Sequence, residues 1–71
     1  MPRLRKRSIS LSGHATSLAL EPEFWETLSA MAAARHRSLA SLIIDIDSHR
    51  ADRPLASACR VAALTWARQA S

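Results

Sequence analysis

The hydrophobic pattern changes its period at Glu21-Pro22, and this change constrains the fold more than any other feature of the chain. Before it, larger and smaller side chains alternate from Ala15 to Leu20, a pattern typical of a strand with one buried and one exposed face. After it, apolar residues recur at the helical period. A lone strand leaves its backbone N–H and C=O groups without partners. We therefore expect a second strand beside it, most simply from a second copy of the chain.

The size of the chain also favours self-association. It has 71 residues and a single cysteine, Cys59. A domain this small buries little surface and usually needs disulfides, bound metal or oligomerisation for stability. One cysteine excludes an internal disulfide, and no cysteine and histidine cluster has the spacing of a structural zinc site. Oligomerisation is the remaining source of stability, so we expect a homodimer.

A second alternating segment precedes the first one, and its phase is different. Ile9 and Leu11 are odd-numbered, whereas the larger residues of the later segment are even-numbered. One extra residue near Gly13 would produce this shift, since glycine is common in β-bulges and at the first position of type II′ hairpin turns. Residues 8–20 therefore form either one long bulged strand or a short hairpin.

Three helices are predicted after this ribbon. Their expected spans are residues 22–35, 39–50 and 54–69. Pro22 suits the first turn of a helix, and Ser38 is the predicted N-cap of the second helix. His36 lies between the two helices, where a left-handed residue is usual. Ile44 widens the apolar face of the second helix, which favours burial on more than one side in a dimer core.

Positive charge is concentrated at the N-terminus. The four basic residues among residues 1–20 are Arg3, Arg5, Lys6 and Arg7, and all six acidic residues lie between Glu21 and Asp52. Such a cluster favours binding to nucleic acid or to an anionic membrane surface; a solubilising tail is the alternative. No apolar run approaches the roughly 20 residues that span a bilayer. We expect residues 1–7 to be a flexible basic arm, and we expect no membrane partner.

The order of strand, helix, tight turn and serine-capped second helix resembles the ribbon-helix-helix DNA-binding proteins of the Arc and MetJ type. The similarity covers residues 15–50, in particular the stretches TSLALEPEFWETLSAMA and RSLASLI. Residues 55–66, LASACRVAALTW, are similar to the extra C-terminal helix of a bacterial subfamily. The resemblance implies a mostly α fold with one short N-terminal β-strand or bulged ribbon, an intertwined homodimer and a third C-terminal helix.

The resemblance also implies a division of the chain and a function. The parts are a basic flexible arm (1–7), a ribbon-helix-helix DNA-binding domain (8–50) and a C-terminal helix packing on the dimer (54–69). The implied function is that of a homodimeric, sequence-preferring DNA-binding protein, a transcriptional regulator of the bacterial cytoplasm and nucleoid. It would insert a two-stranded antiparallel ribbon into the major groove of double-stranded DNA.

Three sets of site residues follow from the resemblance by position. The base-facing residues of the ribbon would be Ala15, Ser17, Ala19 and His14. The phosphate contacts would be Arg3, Arg5, Lys6, Arg7, Arg37, Ser38 and Leu39, the last three at the N-terminus of the second helix. The dimer core would contain Leu18, Leu20, Phe24, Leu28, Leu42, Ile43 and Ile46.

The two alanines depart from the pattern of the family, which usually has longer polar side chains on this face. Alanine offers only a methyl contact to thymine. Two alternatives therefore remain for DNA recognition. Base reading comes from His14, from Thr16 or from the row formed by Ser8, Ser10 and Ser12, or affinity comes mainly from the basic arm.

No cofactor, metal site or enzymatic activity is predicted. Asp45 and His49 have the i,i+4 spacing of two metal ligands, but we interpret them as an exposed surface pair. No G-x-S-x-G elbow accompanies the serines. Cys59 is expected to pack as a small apolar residue. The alternative function is a ribbon-helix-helix protein-interaction module or antitoxin-like adaptor, which binds a protein partner through its C-terminal helix without selective DNA readout.

Overall fold

A computed structural model describes residues 3–70. Two strands, β1 (Arg5–Leu11) and β2 (His14–Leu20), precede three helices, α1 (Pro22–Ala34), α2 (Leu39–His49) and α3 (Leu55–Ala70). The predicted order of a ribbon, two helices and a third C-terminal helix is confirmed. None of the helices in this described range is both long enough and apolar enough to span a bilayer.

The ribbon is a hairpin formed within one chain. Its strands pair antiparallel, with Leu11 opposite His14, so that only Ser12 and Gly13 form the loop. Both loop residues have positive φ, 51° and 81° respectively, as a type I′ turn requires. Glycine adopts such a φ without steric cost. Of the two alternatives at Gly13, the structure therefore has the hairpin, with glycine at the second central position of the turn rather than the first.

Two expectations about the ribbon need correction. The strand beside β2 is β1 of the same chain, whereas a second copy was the expected source. The flexible arm predicted over residues 1–7 is wrong for residues 5–7, which begin β1; Met1 and Pro2 lie outside the described residues. The tight turn is the physical reason for both differences, because it brings the N-terminal segment alongside β2 and satisfies backbone groups locally.

The inner face of the hairpin packs on the helices and completes an apolar core. Ile9, Leu11, Leu18 and Leu20 are all buried on this face. They share one cluster with Trp25, Leu28, Met31, Ala32, Leu42, Ile43, Cys59 and Ala63. The core therefore draws on the ribbon and on all three helices of a single chain.

This core contains the residues predicted for the dimer core. Leu18, Leu20, Leu28, Leu42 and Ile43 are buried within the single chain. The other two, Phe24 and Ile46, are partly buried against the same cluster. The hairpin accounts for this, because β1 covers apolar side chains that the sequence interpretation had assigned to a contact with a partner.

The helix boundaries follow local signals in the sequence. Pro22 occupies the first turn of α1, and the Ser38 hydroxyl accepts a hydrogen bond from the Ser41 N–H at 3.0 Å as the N-cap of α2. His36 has a φ of 54° between the two helices. The predicted cap and the predicted left-handed residue are thus confirmed, and they set the turn that returns α2 to the ribbon side of α1.

Candidate nucleic-acid interface

The outward side of the hairpin carries six side chains from both strands. Directly opposite residues of an antiparallel pair project to the same side of the sheet. The register on this side gives the pairs Lys6–Ala19, Ser8–Ser17 and Ser10–Ala15. We call these six residues the outer ribbon face. Ala19 is partly buried and the other five are exposed, so the face is open to a ligand.

The outer ribbon face is flat, polar and free of carboxylates. Three of its six side chains are serines, whose hydroxyls both donate and accept hydrogen bonds. The two alanines add little height, and Lys6 is the only charged member. A two-stranded ribbon with such a face can approach base edges closely, because side chains of this size do not hold the backbone away from them.

The structure places the predicted base-facing residues on two different sides. Ala15, Ser17 and Ala19 lie on the outer ribbon face, whereas His14 does not. His14 is opposite Leu11, at the exposed tip of the inner side. His14 therefore does not share the outer ribbon face, because the strand alternation that puts Ala15 outward turns its neighbour to the other side.

The same alternation selects among the alternatives for base reading. Thr16 is opposite Ile9 on the inner side, and Ser12 lies in the turn. Ser8 and Ser10 share the outer ribbon face. In the sequence these two serines were only an alternative for base reading. Ile9 and Leu11 are buried, so the even-numbered serines between and beside them must face outward.

The basic residues at the N-terminus do not all share this face: Lys6 lies on it, whereas Arg5 and Arg7 stand opposite Leu20 and Leu18 on the inner side. Arg3, Arg5, Lys6 and Arg7 are all exposed, and within residues 3–70 no carboxylate lies within 4.0 Å of any of them. We call these four residues the ribbon cations. Their charge is not neutralised by the protein, so it is available to a polyanion.

Contacts with α1 fix the position of β1 and its charges. The Trp25 Nε1 donates a hydrogen bond to the Arg5 carbonyl at 2.9 Å. The Arg7 guanidinium lies over the Trp25 ring, 4.9 Å from its centroid, at a distance typical of a cation–π interaction. Trp25 is itself buried. The cations of β1 are therefore presented by an ordered strand rather than by a loose tail.

The N-terminus of α2 is occupied largely by internal contacts. The Ser38 hydroxyl takes up the Ser41 N–H. Arg37 donates from Nε to the Ser41 hydroxyl at 3.1 Å, and its Nη1 lies 3.6 Å from the Asp45 carboxylate. The first-turn amide of Leu39 keeps no partner within the helix. Arg37 is one of the three phosphate contacts predicted here. The Asp45 carboxylate already offsets part of its positive charge.

Two acidic residues outside the ribbon, Glu21 and Asp47, accept hydrogen bonds from arginines. Glu21 accepts a hydrogen bond from the Arg60 Nε at 3.0 Å, and Asp47 accepts one from the Arg50 Nε at 2.6 Å. A backbone hydrogen bond at Glu21, together with the Arg60 side chain, lowers the pKa of this carboxyl below its ordinary value of 4.5. These pairs keep negative charge within the helical layer.

The sequence also singled out the pair formed by Asp45 and His49, and Cys59. The Asp45 carboxylate and the His49 Nδ1 are 3.8 Å apart as an exposed i,i+4 pair. No group of three or more possible metal ligands occurs among residues 3–70. Cys59 is fully buried, and burial raises the pKa of its thiol to about 11. At neutral pH this cysteine is a protonated core residue, in agreement with its predicted packing role.

A family model described as ribbon-helix-helix domain matches residues 4–67. This chain belongs to the ribbon-helix-helix family. The match includes β1 and most of α3, so the hairpin and the third helix both lie inside the matched region. Ribbon-helix-helix domains are generally DNA-binding regulators without enzymatic activity, and they typically bind DNA as dimers. No curated protein and no solved structure shows a significant match to this chain.

Proposed function

We propose that this ribbon-helix-helix protein is a homodimeric, sequence-preferring DNA-binding protein that regulates transcription. The observation that carries the proposal is an exposed, carboxylate-free outer ribbon face that carries Lys6, on a strand whose other cations, Arg5 and Arg7, also form no ion pair within residues 3–70. A surface of this kind complements the phosphates and base edges of duplex DNA.

The dimensions of the hairpin support insertion into the major groove. Neighbouring strands are about 4.8 Å apart, and the major groove of B-DNA is about 12 Å wide. A serine hydroxyl donates to a base acceptor or accepts from a base donor according to its position, and an alanine methyl packs against the methyl group of thymine. The contacts of Ser8, Ser10 and Ser17 would set a sequence preference, while the ribbon cations would contribute most of the affinity.

Uncovered apolar surface supports the homodimer. Ile44 on α2 is 47% exposed, whereas its neighbours Leu42 and Ile43 are fully buried. A second copy that covers Ile44 would remove this surface from water, and each buried square ångström contributes about 25 cal/mol. Dimerisation would also double the number of ribbon cations that face one DNA site.

Fluorescence anisotropy with a labelled duplex tests the proposal, and two alanines provide a matched pair of variants. Ala15 lies on the outer ribbon face and Ala30 on the exposed side of α1. Ala15→Glu should weaken binding by about tenfold or more, since placing like charges together costs several kcal/mol. Ala30→Glu changes the net charge equally and should leave the affinity within about twofold, because a distant exposed charge is screened.

The wild-type protein supplies the second half of this test. Its log K should fall steeply with log salt, by about 0.9 for each phosphate that is neutralised. A duplex selected for tight binding should bind more strongly than a random duplex. The proposal is wrong if neither duplex binds at low salt, or if the two glutamate variants weaken binding equally.

A second candidate function is a protein-interaction module that uses α3. Val61 and Leu64 on this helix are 43% and 55% exposed, and exposed apolar side chains on one helix favour a protein contact. Wild-type protein that binds neither duplex but forms a stoichiometric complex through α3, lost in Leu64→Glu, would favour this candidate.

A further inference from the structure

A cleft opens where the three helices meet. Its volume is about 370 Å³, which lies within the range of about 300–1,000 Å³ typical of small-molecule sites. Its apolar lining comes from all three helices. Met31 of α1 and Ala58 of α3 are buried there, whereas Ile46 of α2 and Val61 of α3 are partly open to solvent. None of its lining residues in the described part of the chain belongs to the ribbon.

Three arginines line the same cleft. Arg35 is the C-cap of α1, Arg50 is the C-cap of α2, and Arg53 lies in the loop before α3. The Arg50 Nε is 2.6 Å from the Asp47 carboxylate. Arg35 and Arg53 are exposed, and no carboxylate within residues 3–70 lies within 4.0 Å of either guanidinium. Two cations without an ion pair therefore stand beside an apolar lining.

The stability of the helices does not explain the position of Arg53. A cation at the C-terminal end of a helix interacts favourably with the helix dipole, as Arg35 does at the end of α1. Arg53 instead comes just before the N-terminal end of α3, where the dipole favours negative charge. The fold thus places a cation where an anion would be stabilised.

The loop that carries Arg53 is held in a defined and strained shape. The Arg53 N–H donates to the Arg50 carbonyl at 3.0 Å, and the Arg50 Nη1 donates to the Arg53 carbonyl at 2.9 Å. Between them Ala51 has a φ of 53°, a left-handed conformation that is unfavourable for alanine. Backbone strain of this kind is concentrated at binding sites and switch regions. The strain here fixes two of the three arginines that line the cleft.

One carboxylate also lines the cleft, and basic groups already surround it. The Asp45 carboxylate is 3.6 Å from the Arg37 Nη1 and 3.8 Å from the His49 Nδ1. The lining therefore has three arginines against a single aspartate. It also contains no aromatic side chain on which a flat ring could stack. These features favour an anion with an aliphatic body.

We propose that the cleft binds a small amphipathic anion, which consists of an aliphatic body and a carboxylate or phosphate head group. The body packs against Met31, Ile46 and Val61, and this contact removes apolar surface from water on both sides. The head group lies at Arg35 and Arg53, because a guanidinium donates paired N–H groups that match either oxyanion. This ligand site lies apart from the outer ribbon face, so the inference goes beyond the proposed DNA-binding function and does not rest on it.

Titration of the full chain with octanoate, followed by amide chemical shifts, tests the site and the class of ligand. Octanoate should shift amides around the cleft and bind with a dissociation constant of about 1 mM or lower. Octyl phosphate compares the two head groups, and the tighter of the two anions identifies the preferred one. Octylammonium has the same body and the opposite charge. It should bind at least about tenfold more weakly, because no charge-assisted hydrogen bond forms.

Three results of this titration would overturn the proposal. The first is the absence of saturable binding by both anions, which is also the result if a second copy of the chain closes the cleft. The second is binding of octylammonium as tight as that of octanoate. The third is saturable binding with all the shift changes outside the cleft. None of these results depends on DNA, so failure of the ligand site and failure of the proposed function are distinguishable.

A matched pair of arginine variants tests the head-group contact. Arg53→Gln should weaken octanoate binding by about tenfold, through loss of a charge-assisted hydrogen bond. Arg68→Gln removes the same charge from an exposed position on α3 that does not line the cleft. It should leave the affinity within about twofold, since an exposed and distant charge is screened. Equal weakening in the two variants would overturn the proposal.

A second matched pair tests the contact with the aliphatic body. Val61 and Leu64 are 43% and 55% exposed on α3, and of the two only Val61 lines the cleft. Val61→Glu places a carboxylate in the cleft and should weaken octanoate binding by about tenfold or more, whereas Leu64→Glu should change it by about twofold or less. Circular dichroism checks that both variants are folded. Unchanged octanoate affinity in folded Val61→Glu would overturn the proposal.

Discussion

The ribbon and the helical layer handle charge in opposite ways. In α3 and at the two ends of α2, Arg60, Arg37 and Arg50 each lie within 4.0 Å of a carboxylate, whereas no ribbon cation does so within the described part of the chain. The helices also contain all the acidic residues except Glu21 and Asp52, which lie just outside them. Charge in the helices therefore serves the fold, and charge on the ribbon is left for a ligand. Substitutions in the helical layer should change stability, and substitutions on the ribbon should change binding.

The largest expected effect lies in the core between the two regions. Leu28 is fully buried beneath the hairpin. Leu28→Ala should lower the free energy of unfolding by about 2–5 kcal/mol, through lost burial and the cavity left behind. Urea denaturation followed by tryptophan fluorescence and by circular dichroism measures this loss. Leu64→Ala, at a position 55% exposed, is the control and should change stability by about 0.5 kcal/mol or less. Similar losses in the two variants would contradict the core described above.

This core shows how far the sequence predicts the fold. The apolar periodicity places all three helices and both faces of β2, because burial follows a period of 3.6 in helices and of two in strands. The apolar periodicity did not predict which strand pairs with β2. A shift in phase at Gly13 is compatible with a bulge and with a turn, and only the positive φ at Ser12 and Gly13 distinguishes them. Local backbone geometry, rather than hydrophobic pattern, decided where the second strand came from.

The turn is the next largest test, since it decides that the ribbon forms within one chain. Gly13 has a φ of 81°, and a Cβ added there would meet nothing within 4 Å. Gly13→Ala should therefore destabilise the protein by about 1–2 kcal/mol through backbone strain alone. Ser12→Asn should have the opposite sign, because asparagine favours the first central position of a type I′ turn. Thermal unfolding of both variants would measure the two effects, and a stabilising Gly13→Ala would refute the turn.

A smaller effect is expected at the cap of α2, where the hydroxyl serves the helix rather than a ligand. Ser38→Ala removes the hydrogen bond to the Ser41 N–H and should cost about 1 kcal/mol. Ser48→Ala, in the same helix, removes exposed hydroxyl contacts with the Asp45 carbonyl and the His49 Nδ1 and should be nearly neutral. Chemical denaturation distinguishes the variants. If Ser38→Ala reduced DNA affinity without reducing stability, the cap would belong to the binding surface instead.

The smallest expected effect concerns the pair formed by Glu21 and Arg60. The pKa of Glu21 is lowered below 4.5 in the folded protein, so this carboxylate stabilises the fold above pH 4.5, and that contribution is lost as the pH falls through the lowered pKa. Glu21→Gln should remove this part of the acid dependence of the unfolding free energy. Arg60→Gln should remove the part of this acid dependence that comes from the Arg60 guanidinium. The pairing would be refuted if the unfolding free energies of the wild type and of Glu21→Gln changed in parallel as the pH was lowered.

The candidate site was less predictable from the sequence than the fold. The three residues of β2 carried over from the resemblance share one side of the hairpin, whereas His14, named as an alternative base reader, lies on the other side. It also had no equivalent for β1, so Ser8 and Ser10 entered only as an alternative. The register of the two strands sets the cross-strand neighbours. A shift of the register by one residue reverses the side on which each residue lies.

Mapping of amide chemical shifts during a titration with duplex DNA tests the central claim most directly. The account predicts that the largest changes occur at the outer ribbon face, in both strands, and extend to the ribbon cations. The control region is the cleft of about 370 Å³ between the helices, lined by residues such as Met31, Ile46 and Val61 and by no ribbon residue. Changes concentrated in that cleft, with the outer ribbon face unaffected, would contradict the assignment of the hairpin as the DNA-binding surface.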